Sequence, residues 1–213
     1  MSAQPFETPQ GRANAFLHPA ARARAALVLG HGAGGSVKAP DLVAVTKVAR
    51  EAGVTVALVE QPYRVAGRTS AAPAAQLDAA WIAVVEQLRA GDLRGLPLLV
   101  GGRSSGARVA CRTAAATAAI GVLCLAFPLQ PAARAGAAPR PSRLAELDSV
   151  SVPTLVVQGV RDPFGMPPAG RQREVAQVSS DHRLASDLPA VSAAVARWIA
   201  RVVADLEPVS NVA

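Results

Sequence analysis

The sequence predicts a doubly wound α/β domain: a mostly parallel sheet with helices on both faces. Three observations lead there. Short, continuously apolar runs alternate with stretches whose apolar residues recur at helical spacing, the pattern of a sheet covered on both sides. Glycine-rich turns follow two of those runs. The 213 residues, 51% hydrophobic and only 17% charged, suit a single domain, residues 1–213, with a sizeable core and little room for a second. Alanine makes up much of the apolar content and aromatic residues only 3%, so the core is expected to be closely packed Ala, Val and Leu.

The elements follow in order. Residues 1–20 hold a possible antiparallel hairpin around Pro9-Gln10-Gly11. Residues 26–30 (ALVLG) form the first strong strand and run into the turn His31-Gly32-Ala33-Gly34-Gly35. Leu42, Val45, Val48, Ala49 and Ala52 then mark a helix closed by Gly53. Residues 54–59 make the next strand, and Leu77, Trp81, Val84, Val85 and Leu88 the next helix. After Gly95 come a strand at 97–100, a sharp turn, and an Ala-rich helix expected to reach about Ala119. Strands at 121–127, 154–158 and 175–178 complete the sheet, with a short helix around 143–147. The final helix faces the sheet through Val191, Val195, Trp198, Val202 and Leu206, with Asp187 or Ser186 as its cap. Residues 207–213 read as a disordered tail.

Composition narrows the function classes. The net charge of +7 comes almost wholly from arginine, but these arginines are scattered and not interleaved with aromatics, so no nucleic-acid partner is expected. No stretch offers 18 uninterrupted apolar residues, and residues 1–17 lack the basic-then-apolar order of a signal peptide. No membrane association is expected. Cys111 and Cys124 lie in apolar surroundings and read as buried thiols, which fits a reducing, cytoplasmic setting. No metal-ligand spacing appears and no cofactor is called for.

The most informative stretch is Leu98-Leu99-Val100-Gly101-Gly102-Arg103-Ser104-Ser105-Gly106-Ala107-Arg108. Gly102, Ser104 and Gly106 fit the G-x-S-x-G turn that lifts a serine hydroxyl above a sheet at a helix N-terminus. A strand turning abruptly into a helix crowds the positions two before and two after the serine, where a Cβ would clash. The apolar strand before it and the helical Ala/Val run after it are the context the motif demands.

A serine needs a base, and there are three histidines. His18 lies on the wrong side of the fold. His31 and His182 both follow strands, but only His182 comes after Ser104, as the order Ser, acid, His requires. His31 reads instead as a structural histidine pinning its turn. The acid is Asp162, in the turn after the strand Leu155-Val156-Val157-Gln158, because the preceding strand ends in Phe127-Pro128-Leu129-Gln130 without a carboxylate and Asp181 is too close to His182 in sequence. Two N–H groups for developing negative charge are assigned to Ser105 and to Ala33, with Gly32 next in line. Tyr63, Phe127, Pro128 and Phe164 end strands on the same side and are candidates to line the site with Gly32; Phe127 suits the core equally well.

Together these residues resemble the α/β-hydrolase superfamily. More narrowly, they are similar to small, cap-less bacterial hydrolase-like proteins akin to dienelactone hydrolase, including a group related to subunit 3 of the human NSL chromatin complex. The stretches LVLGHGAGG, VEQPY, LLVGGRSSGARVA, LAFPLQP, LVVQGVRDPFG and DHRL carry the resemblance from residue 27 to 184. It implies a triad on Ser104, Asp162 and His182 and an oxyanion hole at Ala33 and Ser105, the residues already reached above. Ser105 stands where similar proteins often have Met, and Ala107 where they often have Gly. Only about 20 residues separate Asp162 from His182, with Pro163, Pro167 and Pro168 among them, so the helix that relatives fit there is shortened or lost.

Two expectations follow. One is a serine hydrolase, esterase-like, acting on a small ester or thioester through an acyl-enzyme. About 26 residues between Phe127 and Thr154 are too few for a lid domain and imply an open site. The other is a non-catalytic binding or scaffold protein on the same fold, in which His182 lies out of reach of Ser104. Neither the physiological substrate nor the oligomeric state is readable from the sequence.

Overall fold

A computed structural model describes residues 2–131, 141–204 and 206. Its centre is an eight-stranded sheet in the order β1-β2-β4-β3-β5-β6-β7-β8. The strands are β1 (Gln4–Thr8), β2 (Gly11–His18), β3 (Ala25–Gly30), β4 (Val54–Glu60), β5 (Leu98–Arg103), β6 (Gly121–Leu125), β7 (Thr154–Gly159) and β8 (Arg173–Val178). The helices are α1 (Pro40–Glu51), α2 (Pro62–Val65), α3 (Ala74–Ala90), α4 (Ser105–Thr113), α5 (Leu144–Asp148) and α6 (Leu188–Val202).

The six strands from β4 to β8 pair in parallel. All but the edge strand β8 are buried on both faces, and their side chains alternate between two cores with the strand period of two. Ala26, Val28, Val100, Val122, Cys124 and Val156 pack with Trp81, Val84, Val85 and Leu88 of α3 and Ala107 and Ala110 of α4. Leu27, Leu29, Leu99, Leu123, Leu125, Leu155 and Val157 face Leu42, Val45 and Ala49 of α1 and Val191, Val195, Trp198 and Ile199 of α6. Each helix therefore lays its apolar stripe on a sheet that has no polar face to offer.

The chain goes from β3 outward to β4, then crosses back over β3 to start β5. The direction of winding thus reverses between β3 and β5, and at such a switch point the loops leaving the two strands part and leave a crevice. The turn after β3 and the turn after β5 flank that crevice.

At the edge, β1 and β2 form the expected hairpin, Thr8 opposite Gly11. The Thr8 hydroxyl donates to Gly11 O at 2.6 Å, and Gly11 takes φ 98°, a left-handed conformation open to glycine. Antiparallel pairing of β2 with β4 sets His18 opposite Val56 and Asn14 opposite Glu60, so His18 lies toward the far end of the sheet from the crevice.

Several boundaries differ from expectation. The helix after Ser104 ends at Thr113, not near Ala119: Ala118 turns left-handed at φ 49° and Ala119 N folds back to donate to Ala114 O at 3.0 Å. Alanine favours helix, but the chain must reverse to enter β6. That strand stops at Leu125, since Ala126 takes φ 50° and carries Phe127 out of the sheet. β5 runs on to Arg103, whereas the stretch after Asp162 is as expected: no helix occupies residues 160–172. Asp187, not Ser186, caps α6 by accepting from Ala190 N at 3.3 Å, while the Ser186 hydroxyl pairs with that of Ser180 at 2.9 Å. The tail predicted at 207–213 lies outside the described residues. Among the described residues no helix is long and apolar enough to cross a membrane.

The Trp81 side chain is 0% exposed, so Trp81→Ala is expected to cost about 3–5 kcal/mol in urea unfolding. Asp187→Ala removes a capping bond and should cost only about 1 kcal/mol; equal losses would contradict this division of the stability.

Candidate active site

At the end of β5 the backbone of Ser104 adopts φ 51°, ψ −107°, a conformation that costs a non-glycine residue about 1–3 kcal/mol. The neighbours explain how it is held. A Cβ on Gly102 would lie 2.6 Å from Gly30 O, and one on Gly106 would come closer still to the same oxygen. Glycine at both positions lets the start of α4 press against the end of β3. Ser104 N donates to Leu125 O at 2.9 Å, tying the turn to β6 as well. Ser105 opens α4, where first-turn N–H groups have no acceptor within the helix and the helix dipole is positive.

The Ser104 Oγ lies 2.9 Å from His182 Nε2. His182 Nδ1 lies 2.8 Å from Asp162 Oδ2. The Asp162 carboxyl, fully buried, accepts from Phe164 N at 2.9 Å through Oδ1. Donation from Nδ1–H to Asp162 leaves Nε2 unprotonated and able to accept from the serine. The structure thus brings together the three residues singled out in the sequence, with no helix in the segment between the acid and the histidine. Direct packing holds that segment. Gly159 sits so tightly under the Ser180 and Asp181 carbonyls that a Cβ there would collide with both, and Arg161 N donates to Ser180 O at 3.0 Å.

Gln158 was not singled out in the sequence. It is fully buried at the end of β7, and its Nε2 lies 2.8 Å from Asp162 Oδ2, 3.1 Å from Phe127 O and 2.9 Å from Gly165 O. Two amide hydrogens serve three acceptors, locking the acid turn against the end of β6. The signal available in the sequence was a lone polar residue closing an apolar strand.

The turn after β3 is equally constrained. His31 Nε2 accepts from Gln61 N at 3.1 Å, which fixes the ring as the Nδ1–H tautomer, donating to Gly32 O at 2.7 Å. Burial lowers the His31 pKa, favouring the neutral ring that acceptance at Nε2 requires. Tyr63 was expected to line the site, but it is buried beneath the turn and its hydroxyl donates to Ala33 O at 2.6 Å. Burial pushes its pKa up to about 12, so it remains a donor. Phe127 is likewise no lining residue; it is fully buried in the α3–α4 core. Gly32 is buried against the Ser104 turn, where a Cβ would meet Arg103 Nη1 and Ser104 Cβ.

A pocket of about 280 Å³ opens beside Ser104, with Ala33, Ser105, Leu77, Pro128 and Phe164 in its walls. Phe164 also packs edge-on against the His182 ring, centroids 4.5 Å apart. Arg108 and Arg112 complete the wall as an ion-paired network. Arg108 binds Glu146 at 2.8 and 2.5 Å, and Arg112 binds Asp78 at 2.8 and 2.6 Å and Glu146 at 3.3 Å. Burial alone would raise the Glu146 pKa; the bonds and charges of Arg108 and Arg112 outweigh it and hold the carboxyl below its usual range. This network joins α3, α4 and α5 around the mouth of the pocket.

The comparisons agree with this architecture. A family model described as an alpha/beta hydrolase domain matches residues 23–188. The chain belongs to that family. No curated protein matches its sequence. Among solved structures, Est1E from Butyrivibrio proteoclasticus superposes with a TM-score of 0.78 at 15% identity, covering 96% of this chain and 100% of that one. An α/β serine hydrolase without a lid from Xanthomonas campestris gives 0.73 at 20% identity, covering 94% of each chain. Dienelactone hydrolase from Anabaena variabilis gives 0.74 at 17% identity, over 94% and 96%. At these identities the likeness is one of fold: an α/β-hydrolase sheet without a lid domain.

His31 makes a prediction about pH. Its pKa is lowered on folding from the ordinary value of 6.5, so the unfolded chain binds more protons. Its contribution to stability is complete above about pH 6.5 and is lost as pH falls through the lower folded value. Urea unfolding between pH 5 and 8 should show that decline, and His31→Gln should flatten it; a variant with an undiminished slope would assign the effect elsewhere.

Proposed function

We propose that the protein is a serine hydrolase acting on small carboxylic esters or thioesters. One observation carries this reading: the continuous relay from Ser104 Oγ through His182 to the buried Asp162, at 2.9 and 2.8 Å. In this mechanism His182 Nε2 takes the Ser104 proton as Oγ attacks the carbonyl carbon. Asp162 holds the imidazole in the right tautomer and stabilises the imidazolium. The N–H groups of Ala33 and Ser105 receive the developing oxyanion, aided by the positive end of α4. His182 then gives the proton to the leaving alcohol or thiol. Water, deprotonated by the same imidazole, releases the acyl group and restores the serine.

The space beside Ser104 supports this substrate class. The pocket lies near the lower end of the usual range for ligand sites, which suits short acyl groups rather than long lipid chains. The reading includes no nucleic-acid or membrane partner and no cofactor. It places the protein in a reducing, cytoplasmic compartment, in keeping with the free, buried thiols of Cys111 and Cys124. The scaffold alternative depended on a His182 ring out of reach of the serine, and a distance of 2.9 Å removes that support.

A fluorophosphonate probe is expected to label the wild type, not Ser104→Ala, and His182→Ala only weakly. With p-nitrophenyl esters, kcat/KM should fall beyond short acyl chains, and Asp162→Asn should lower kcat on the order of 10⁴-fold. A folded wild type that neither labels nor hydrolyses any short ester would sink the proposal.

A further inference from the structure

We propose that Arg103, held by the buried Asp41, is a positioning residue that sets the His182 loop, and through it the imidazole, against Ser104. Its kinetic consequence rests on the hydrolase reading above.

Arg103 immediately precedes Ser104, and its side chain runs along the α1–α6 side of the sheet. Its Nε lies 3.0 Å from Asp41 Oδ2 in the first turn of α1, with the two side chains 15% and 0% exposed. Its Nη2 donates to the backbone carbonyl of His182 at 3.0 Å. Its Nη1 occupies the space where a Cβ on Gly32 would lie, 2.9 Å away. One planar guanidinium therefore touches three segments that must agree in position: the glycine-rich turn, the start of α1, and the residue bearing the imidazole.

That contact matters because Asp162, Ser104 and Phe164 meet only the ring of residue 182, whereas Arg103 holds its main chain. The loop follows the edge strand β8, and no helix lies between Asp162 and that strand. Several of its bonds are internal or to α6: Arg183 N to Asp181 Oδ1 at 2.8 Å, Ser180 Oγ to Ser186 Oγ at 2.9 Å, and Ser179 N to Asp187 Oδ2 at 3.1 Å. Gly159 and Arg161 support residues 180 and 181 from β7 and its turn. At residue 182 itself, the Arg103 bond links the main chain to the strand that carries the nucleophile. A charged donor makes a stronger bond than a neutral one, and the guanidinium fork fixes direction as well as distance. Asp41 orients that fork. Its other oxygen accepts from Leu42 N at 2.9 Å, so the carboxylate cannot swing away without uncovering the helix start.

Arg103→Ala would leave Asp41 buried without its cation and could unfold the chain for that reason alone. The decisive variant is therefore the double change Arg103→Met with Asp41→Asn, which removes both charges and preserves volume. It is expected to keep wild-type circular dichroism and a cooperative melt. Its kcat should fall about 10- to 100-fold while KM stays within about twofold, the mark of lost alignment rather than lost binding. Arg103→Lys, with a charge but no fork, should fall between the double variant and the wild type. The downfield proton resonance of His182 Nδ1–H, sharp in the wild type, should broaden in the double variant. A folded double variant with unchanged kcat and an equally sharp resonance would overturn the proposal. If the wild type itself is inactive, the hydrolase reading fails, while the resonance still decides whether Arg103 orders the ring.

Discussion

The structure depends on how closely one helix can approach one strand. Gly30 at the end of β3 and Gly102 and Gly106 around the Ser104 turn meet backbone to backbone, with no room for a Cβ on Gly102 or Gly106. That approach holds Ser104 in its left-handed conformation and aims its hydroxyl out of the sheet. The same contact places the N-terminus of α4 beside the turn that carries Ala33, because β3 and β5 are the strands between which the winding reverses. Strain of about 1–3 kcal/mol at the serine is sustained because cores on both faces of the sheet fix the elements around it.

The acid and histidine arrive from the other half of the sheet by a shorter route than a helix would have provided. Gly159 lets the histidine loop lie on the end of β7, and Gln158 anchors the acid turn to Phe127 and Gly165. Both contacts are buried, so they define position with little dependence on ionic strength. Around the pocket mouth the ion pairs do a different job. Arg108 and Arg112 lie in α4, Glu146 in α5 and Asp78 in α3, so the network binds three helices over the same face.

Much of this was legible in the amino-acid order. The apolar runs located the strands, G-x-S-x-G located the turn, and the Ser, acid, His order selected Asp162 and His182 from a small set of candidates. The errors share a cause. Alanine-rich residues 114–119 look helical by propensity, but the need to reach β6 turns Ala118 left-handed. Tyr63 and Phe127 end strands on the reactive side, which suggested a lining role; both side chains instead point into protein, one to hold Ala33 and the other to fill a core. Propensity and strand direction say which end of the sheet a residue occupies. They do not say which way its side chain turns once the chain leaves the strand.

The sequence by itself determined the fold class, the two-sided core and the identity of the residues at the reactive end, because apolar periodicity and glycine position are local properties of the chain. Only the tertiary structure decided that His182 meets Ser104 without an intervening helix, that Gln158 and Arg103 support the site, and that Arg108 and Arg112 are already paired with carboxylates. Each of these is a contact between residues far apart in the chain: Arg103 and His182 are separated by 79 positions, and Arg108 and Glu146 by 38. Such pairings arise from how the sheet brings distant strand ends together, and no local pattern records them.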